Sequence, residues 1–450
     1  MTGETRRLAQ FIAGARVPEE IRTTSRRYVL DWLGSALAGS AMEPPGIVRQ
    51  VIEELGGTPR ATVLGSNART SAPLAAMANA AASHVLEMDD LDRGSISHPA
   101  APVIATALAL GEAEGVDGDV FLDAVAVGYE ACIRTGEALG TSHYDYWHTT
   151  GTAGTIGAAA AAARIMGLDE ERTVQALGSA GTTAAGLWEF LADGAMSKQL
   201  HPAKAAHDGM LAALLARRGF TGASTILEGP KGLLAAMSRA PRPDALTEGL
   251  AEEQARWRIE QVSFKFHACC RHIHPAADAV LALRDEGLQP EDVEAIHVQI
   301  YRQALGLLDG VEPTTPYAAK FSLPFAIASA LRFGDLGLDR FTDGAIQDQA
   351  TLALADRITF APDSDLDQLY PAAWPSIATV RLRDGSERTS RIDHPRGDPE
   401  GGVTNDDLSA KFVMLTGGML GDDGAEAVAA SILRAAPSPT PASITASVAR

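Results

Sequence analysis

From Ala153 to Met166 the chain is written almost entirely in Ala, Gly and Ile. At helical period such a segment has no polar face to offer water, so it must be enclosed by other helices. It is too short and too rich in small residues to span a bilayer. Thr149, Thr150 and Thr152 precede it and suit a helix start. Helical spacing recurs before it, at 19–39 (Val29, Leu30, Trp32, Leu33, Ala36, Leu37), 47–55, 74–86, 100–115 and 120–139. It recurs after it at 169–191 and 211–219, while Pro44 and Pro45 read as a break. Aromatics make up 5% of the residues and hydrophobic residues 46%. That mixture favours closely packed helices over a sandwich of sheets.

Beyond Lys265 the pattern changes. Val293 to Tyr301 alternates and is β-branched at its centre, which predicts a strand. Residues 376–392 predict a hairpin turning at Asp384-Gly385. Helical runs lie between them at 318–331 and 343–354, and helix returns over 405–433. The tail from Ala436 is dense in Pro, Ser and Thr and is expected to be disordered.

The net charge of −19 argues against nucleic acid or an anionic membrane as partner. The three Cys (Cys132, Cys269, Cys270) cannot build a disulfide framework, and a reduced, cytoplasmic setting is expected. No signal peptide is read at the N-terminus.

Chemistry-bearing residues concentrate in four polar stretches, which hold nine of the eleven His. The first, His84 to Pro99, carries four acids, an Arg and two His between apolar helices, and gives His98 a proton-transfer or carboxylate-binding role. The second, Ser142 to Thr152, places His148 just before the Ala/Gly helix. In the third, Lys198, His201 and Lys204 are spaced by three and share a helical face. The fourth, Phe264 to Pro275, packs Lys265, Arg271, His272, His274 and both adjacent Cys into twelve residues leading into a helix, as a site for an anion would.

Taken together these stretches carry a resemblance. Asp31-Trp-Leu-Gly34, the Glu87–Pro99 loop, Trp147-His148 with Thr150-Gly151, Lys198-x-x-His201 with Ala205-Ala206, Phe264-Lys265 with Cys269-Cys270-Arg271-His272-x-His274, and Lys320-Phe-Ser-Leu-Pro324 are similar to motifs of the MmgE/PrpD family. That family includes 2-methylcitrate dehydratase, cis-aconitate decarboxylase and iminodisuccinate epimerase. The chain departs from the family pattern at Glu87-Met-Asp-Asp-Leu91, where relatives often carry Asp-Phe-Asp-Asp-Thr.

The resemblance implies a mainly α fold: a large all-helical domain built from both chain ends, with a smaller α+β lid. The corresponding spans are 1–262, 263–395 and 396–435, followed by the 436–450 tail. It implies a homodimer and cofactor-free chemistry on small polycarboxylates in a cleft between the domains. By matching position it singles out His98, His148, Lys198 and Lys265, with Asp89 and Asp90 beside them.

The family reactions share one demand, tolerance of a carbanion next to a carboxylate. Cations must neutralise that carboxylate, and Lys198, Lys265, Arg271 and Lys320 can supply them. His98 and His148 are expected to move protons, with Asp90 orienting one of them; Asp89, His201, Lys204, His272 and His274 complete the expected binding set. Dehydration is the first expectation from the resemblance, with decarboxylation and epimerisation as alternatives.

Two adjacent Cys do not suit an iron–sulfur cluster. A nucleophile at Cys269 or Cys270 is a further alternative, as is a helical scaffold without catalysis. A zinc site from Asp90, His98 and His148 is opposed by the nearby Lys and Arg, so no metal is expected. For an enzyme, Lys265→Ala and His98→Ala are both expected to keep the fold and lose turnover.

Overall fold

The structure is a computed structural model describing residues 3–192, 194–250, 256–434 and 436–449. It is mainly α. The chain divides into two units. One comprises Met1–Val85, Asp89–Val262 and Thr404–Arg450; the other comprises Leu86–Met88 and Ser263–Val403.

The first unit is helical. Its N-terminal part runs α1 (Glu4–Gly14), α2 (Glu19–Gly39), α3 (Glu43–Leu55), α4 (Ala72–His84), α5 (Ala100–Glu114), α6 (Gly118–Leu139), α7 (Thr149–Ile165), α8 (Glu170–Gly181), α9 (Leu200–Arg217) and the short α10 (Leu233–Met237). A two-stranded ribbon, β1 (Ala61–Thr62) with β2 (Arg69–Thr70), joins α3 to α4. Pro44 and Pro45 do not break the chain as expected. They sit in the first turn of α3, where a missing N–H costs nothing.

The Ala/Gly segment is α7, and it is the axis of this unit: α6, α9 and α5 pack around it. All its residues but Arg164 are buried. Small residues let the backbones nearly touch. A Cβ added to Gly157 would lie 2.6 Å from the Cβ of Cys132 and 2.9 Å from the carbonyl oxygen of Gly128 on α6. One added to Gly209 of α9 would lie 2.6 Å from the carbonyl oxygen of Thr155. Asp117 and Asp169 cap α6 and α8 by accepting from Val120 N and Arg172 N.

The second unit is α+β. It holds α11 (His274–Asp285), β3 (Val293–Ile300), α12 (Arg302–Leu308), α13 (Pro316–Ala319), α14 (Leu323–Phe333), α15 (Gln349–Ala355), β4 (Ile358–Pro362), α16 (Ser364–Asp367), β5 (Ser376–Leu382) and β6 (Glu387–Ile392). The sheet order is β4-β3-β5-β6. β3 pairs parallel with β4 and antiparallel with β5, and β5–β6 is the expected hairpin, with Gly385 at φ +86° in its turn. α11 packs on β5 and β6, and α14 on β4. The single expected helix over 318–331 is interrupted at Lys320-Phe-Ser, because the chain turns there to start α14 with Pro324 in its first turn.

The chain returns to the helical unit at Thr404, eight residues beyond the expected 396, with α17 (Asn405–Leu420) and α18 (Asp422–Leu433). A capping box between Thr404 and Asp407 starts α17. Lys411 of α17 forms a buried ion pair with Asp31 of α2, Nζ to Oδ1 at 2.6 Å.

The tail is not disordered. Pro441–Ser447 forms α19, capped by Thr440, with Ile444 and Val448 buried. Ser438 Oγ donates to Asp119 at 2.6 Å and accepts from Arg26. The Pro and Ser that read as low complexity are turn and cap residues, and two aliphatic anchors suffice to dock the helix. Ile444→Ala is expected to lower the unfolding free energy by about 2–4 kcal/mol in urea titration. A loose tail would give no change.

Candidate active site

Four histidines gather inside the helical unit. His84 ends α4, His98 ends the loop before α5, His148 is the residue before α7, and His201 lies in the first turn of α9. Ring centroids are 4.9 Å apart for His84–His98, 5.4 Å for His84–His148 and 5.2 Å for His148–His201. The enclosed helices require this convergence: their apolar bodies fill the core, and their ends carry the polar residues.

The loop from Asp89 to His98 is held tightly. Asp92 and Ser97 exchange backbone hydrogen bonds at 2.9 and 3.3 Å, and Ser95 N donates to Asp92 Oδ2 at 2.7 Å. Ile96 has φ +51°, a strained value for a β-branched residue. Glu87, two residues before the loop, has φ +59°. Burial, then repulsion from Glu137, pushes the Asp92 carboxyl up to about 6.

The hydrogen bonds fix tautomers. His98 Nδ1 donates to the main-chain oxygen of Asp90 at 2.5 Å, which leaves its Nε2 as the acceptor when the ring is neutral. His84 Nδ1 donates to Asp89 Oδ2 at 2.6 Å. His148 Nδ1 and His201 Nδ1 are 3.0 Å apart and share one proton between them. Burial first, then the neighbouring His201, His84, Lys198 and His98, holds His148 well below the usual imidazole range. Burial, then His84, Lys198 and Lys204, pulls His201 down to about 4. Both rings are therefore neutral at pH 7. Lys198 lies in the turn before α9, buried at 3% exposure, close enough for its charge to act on both.

Asp90 does not orient a histidine through its carboxylate, as expected. Its Oδ1 accepts from Ala100 N at 3.1 Å and its Oδ2 from Tyr129 OH at 2.8 Å, so the side chain anchors the start of α5. Burial, with Asp89 adjacent, raises its carboxyl well above the usual range. The main-chain oxygen does the orienting. The carboxylate that serves the histidines is Asp89, which lies 2.6 Å from His84 Nδ1 and 3.5 Å from His98 Nδ1.

Lys204 sits at the edge of the cluster, where its charge acts on His201. It is partly exposed, pairs with Asp208 at 2.8 Å and bonds the carbonyl of Thr183. His143 is also structural: Nδ1 donates to Met237 O at 3.0 Å and Nε2 accepts from Thr152 at 2.8 Å. Sequence reasoning gave no role to His84, Trp188 or Phe190. Trp188 lies 4.7 Å from His148 and 5.5 Å from Phe190, and Phe190 lies 5.7 Å from His201, ring to ring, so two aromatics wall the cluster. His84 was visible only as a basic residue at a helix end.

In the α+β unit, the expected basic residues form a separate buried network. Lys265 Nζ lies 3.3 Å from Glu87 Oε2, and Tyr317 OH donates to Glu87 Oε1 at 3.2 Å. Lys320 Nζ donates to the carbonyl of Leu86 at 2.7 Å. Arg271 pairs with Asp398 and donates to His274 Nδ1 at 2.8 Å, and His274 Nε2 donates to the carbonyl of Cys269 at 3.3 Å. His272 is bonded to Tyr301 OH at 2.5 Å and stacks on Trp374 with centroids 4.3 Å apart. Arg271, His272 and His274 are thus internal braces. The Cys269 thiol is pushed up by burial, which disfavours the thiolate a nucleophile needs.

Two groups of three side chains bring His and carboxylate atoms together among the described residues. In His84–Asp89–His98, two of the donor atoms bond each other and His98 Nδ1 is given to a carbonyl. In His394–Asp398–Glu400, Asp398 is engaged by Arg271 and by Ser263. Both sets fit hydrogen-bonded networks better than a cation. No helix among the described residues is long and apolar enough to cross a membrane.

Three relatives align over nearly the whole chain. The cis-aconitate decarboxylase-like protein oryM of Aspergillus oryzae is 26% identical over 444 residues, covering 93% of this chain and 90% of its own. Cis-aconitate decarboxylase of Aspergillus terreus is 25% identical over 456 residues, covering 93% and 89%. The Homo sapiens enzyme of that name is 26% identical over 446 residues, covering 94% and 90%. Residues 6–246 match the MmgE/PrpD N-terminal domain and residues 267–435 the MmgE/PrpD C-terminal domain. With both domains present in order and spanning most of its length, the chain belongs to the MmgE/PrpD family.

Proposed function

We propose that this protein is a lyase acting on a small di- or tricarboxylate, with decarboxylation of a cis-aconitate-like substrate as its reaction. The observation that carries this reading is the buried pair His98 and His148, with the half-buried His201, beside the buried Lys198. Near-full-length similarity to cis-aconitate decarboxylases supports it.

In such a substrate the carboxylate on the CH2 carbon leaves as carbon dioxide. The pair from the broken C–C bond forms a terminal double bond. The pair of the old double bond moves to the far carbon, which takes one proton. The carbanion character develops beside a second carboxylate, where a cation stabilises it. Lys198 supplies that cation within the helical unit, and His98 or His148 delivers the proton. Dehydration would ask the same histidines for one base and one acid.

Proton NMR in D2O tests the reading with cis-aconitate, 2-methylcitrate, citrate, malate and iminodisuccinate. The expected result is loss of the cis-aconitate vinyl signal, two new terminal methylene signals and one deuterium in the neighbouring CH2. A vinyl signal arising from a hydroxy acid would make the enzyme a dehydratase. No turnover of any of the five and no binding by calorimetry would overturn the polycarboxylate reading.

The homodimer implied by the family resemblance is proposed as well. Ile47, Val51 and Leu55 stand four apart on α3 and are 45, 47 and 68% exposed, an apolar stripe suited to a second copy. Sedimentation is expected to give twice the chain mass, and Val51→Glu with Leu55→Glu the single chain. An unchanged mass in the double variant would place the interface elsewhere.

A further inference from the structure

Buried histidines with a purely structural role use both ring nitrogens, as His143 and His274 do. His84 does not. Its ring is wholly buried, Nδ1 is bonded to Asp89, and Nε2 has no partner among the described residues. An idle buried nitrogen calls for an explanation beyond packing.

The explanation lies in what Asp89 faces. One carboxylate oxygen, Oδ2, lies 2.6 Å from His84 Nδ1 and 3.5 Å from His98 Nδ1. Two imidazoles share one negative charge, and only one of them can hold an extra proton beside it. We propose that His84 and His98 compete for the carboxylate of Asp89, and that His84, by holding it, keeps His98 in the uncharged, proton-accepting form. His84 is then a positioning residue that acts through His98.

The surroundings agree. Among the described residues, the titratable groups seen to act on or touch His84 are Asp89 from the loop, His98, His148 at the start of α7 and His201 of α9, with the Lys198 charge acting on the last two. Asp90 is engaged by Ala100 and Tyr129, and burial leaves His148 and His201 neutral. Asp89 is therefore the carboxylate that decides where a proton settles.

The inference rests on the proposed proton-transfer role of His98, but its test needs no substrate. Protein labelled with [15N]histidine is titrated by NMR as wild type, as His84→Asn and as Asp89→Asn. The Asn amide still donates to Asp89 but cannot take up a further proton. In His84→Asn the His98 titration midpoint is expected to rise by about one pH unit or more, since the Asp89 charge is then no longer claimed by a second ring that can take up a proton. In Asp89→Asn it is expected to fall. An unmoved His98 midpoint in either folded variant overturns the proposal. A shifted midpoint without turnover of any polycarboxylate leaves this competition standing and removes the lyase reading. Once a substrate is known, the pH limb of kcat/KM is expected to move with the midpoint in His84→Asn, whereas a merely structural residue would lower the rate at all pH values alike.

Discussion

Replacing Lys265 with Ala is expected to lower the unfolding free energy by about 3–5 kcal/mol, the scale for removing one partner of a buried ion pair. Lys265 is 0% exposed and Glu87 2%. Truncation withdraws the ammonium from a buried carboxylate that also accepts from Tyr317 OH at 3.2 Å. The sequence reading, in which Lys265→Ala keeps the fold, treats the lysine as a free cation and misses this partner. The double variant Lys265→Met with Glu87→Gln removes both charges at similar volume and is expected to recover most of the lost stability. Urea unfolding followed by circular dichroism measures both variants. The double variant also separates two roles. If it is stable and inactive, the lysine's charge serves the chemistry; if it is stable and active, Lys265 is a brace. An unchanged midpoint in Lys265→Ala would show that the pair contributes nothing to folding.

His98→Asn is expected to do the opposite, keeping the fold and lowering turnover by about 100- to 10,000-fold, the range for a positioned acid–base group. The Asn amide nitrogen replaces Nδ1 as donor to the Asp90 carbonyl, so the loop retains its anchor. What disappears is the ring nitrogen that exchanges a proton. Turnover of whichever polycarboxylate reacts, with the melting temperature measured alongside, checks the expectation. A loss smaller than tenfold would move the proton-transfer role to His148.

The sequence spoke most clearly where local pattern decides structure. The Ala/Gly run had one physical outcome, and the alternation of Val293–Ile300 and the turn at Asp384-Gly385 had theirs. β4 went unread because Ile358–Pro362 is five residues ending in Pro, and its partner β3 lies some sixty residues earlier. The Phe264–Pro275 cluster shows the limit for function. Its density of basic groups was plain, but Arg271 is paired with Asp398 and His272 with Tyr301 and Trp374, partners far along the chain. A polar concentration looks the same in sequence whether it binds a ligand or braces a core. His84 failed in the reverse sense. It looks like the last-turn residue of an alanine helix, and only the fold brings His98 and His148 against it. Exchanging the expected roles of Asp89 and Asp90 required seeing which oxygen each histidine reaches.

The close approach of α7 to α6 and α9 also bears on how such a catalyst can diversify. His148 is mounted on a helix whose glycines leave no volume for a side chain, so the foundation beneath it has almost no freedom to drift. The turn that faces it is pinned by its backbone, His148 N to Gly186 O at 2.9 Å and Trp188 N to Tyr146 O at 3.2 Å, but its Leu187 side chain is 54% exposed. On the proposed reading, substrate range can be altered at Leu187 with little cost to the scaffold, whereas Phe190, 4% exposed, is part of the core. A mutational library aimed at new acids belongs in that turn, away from the immovable helix behind it.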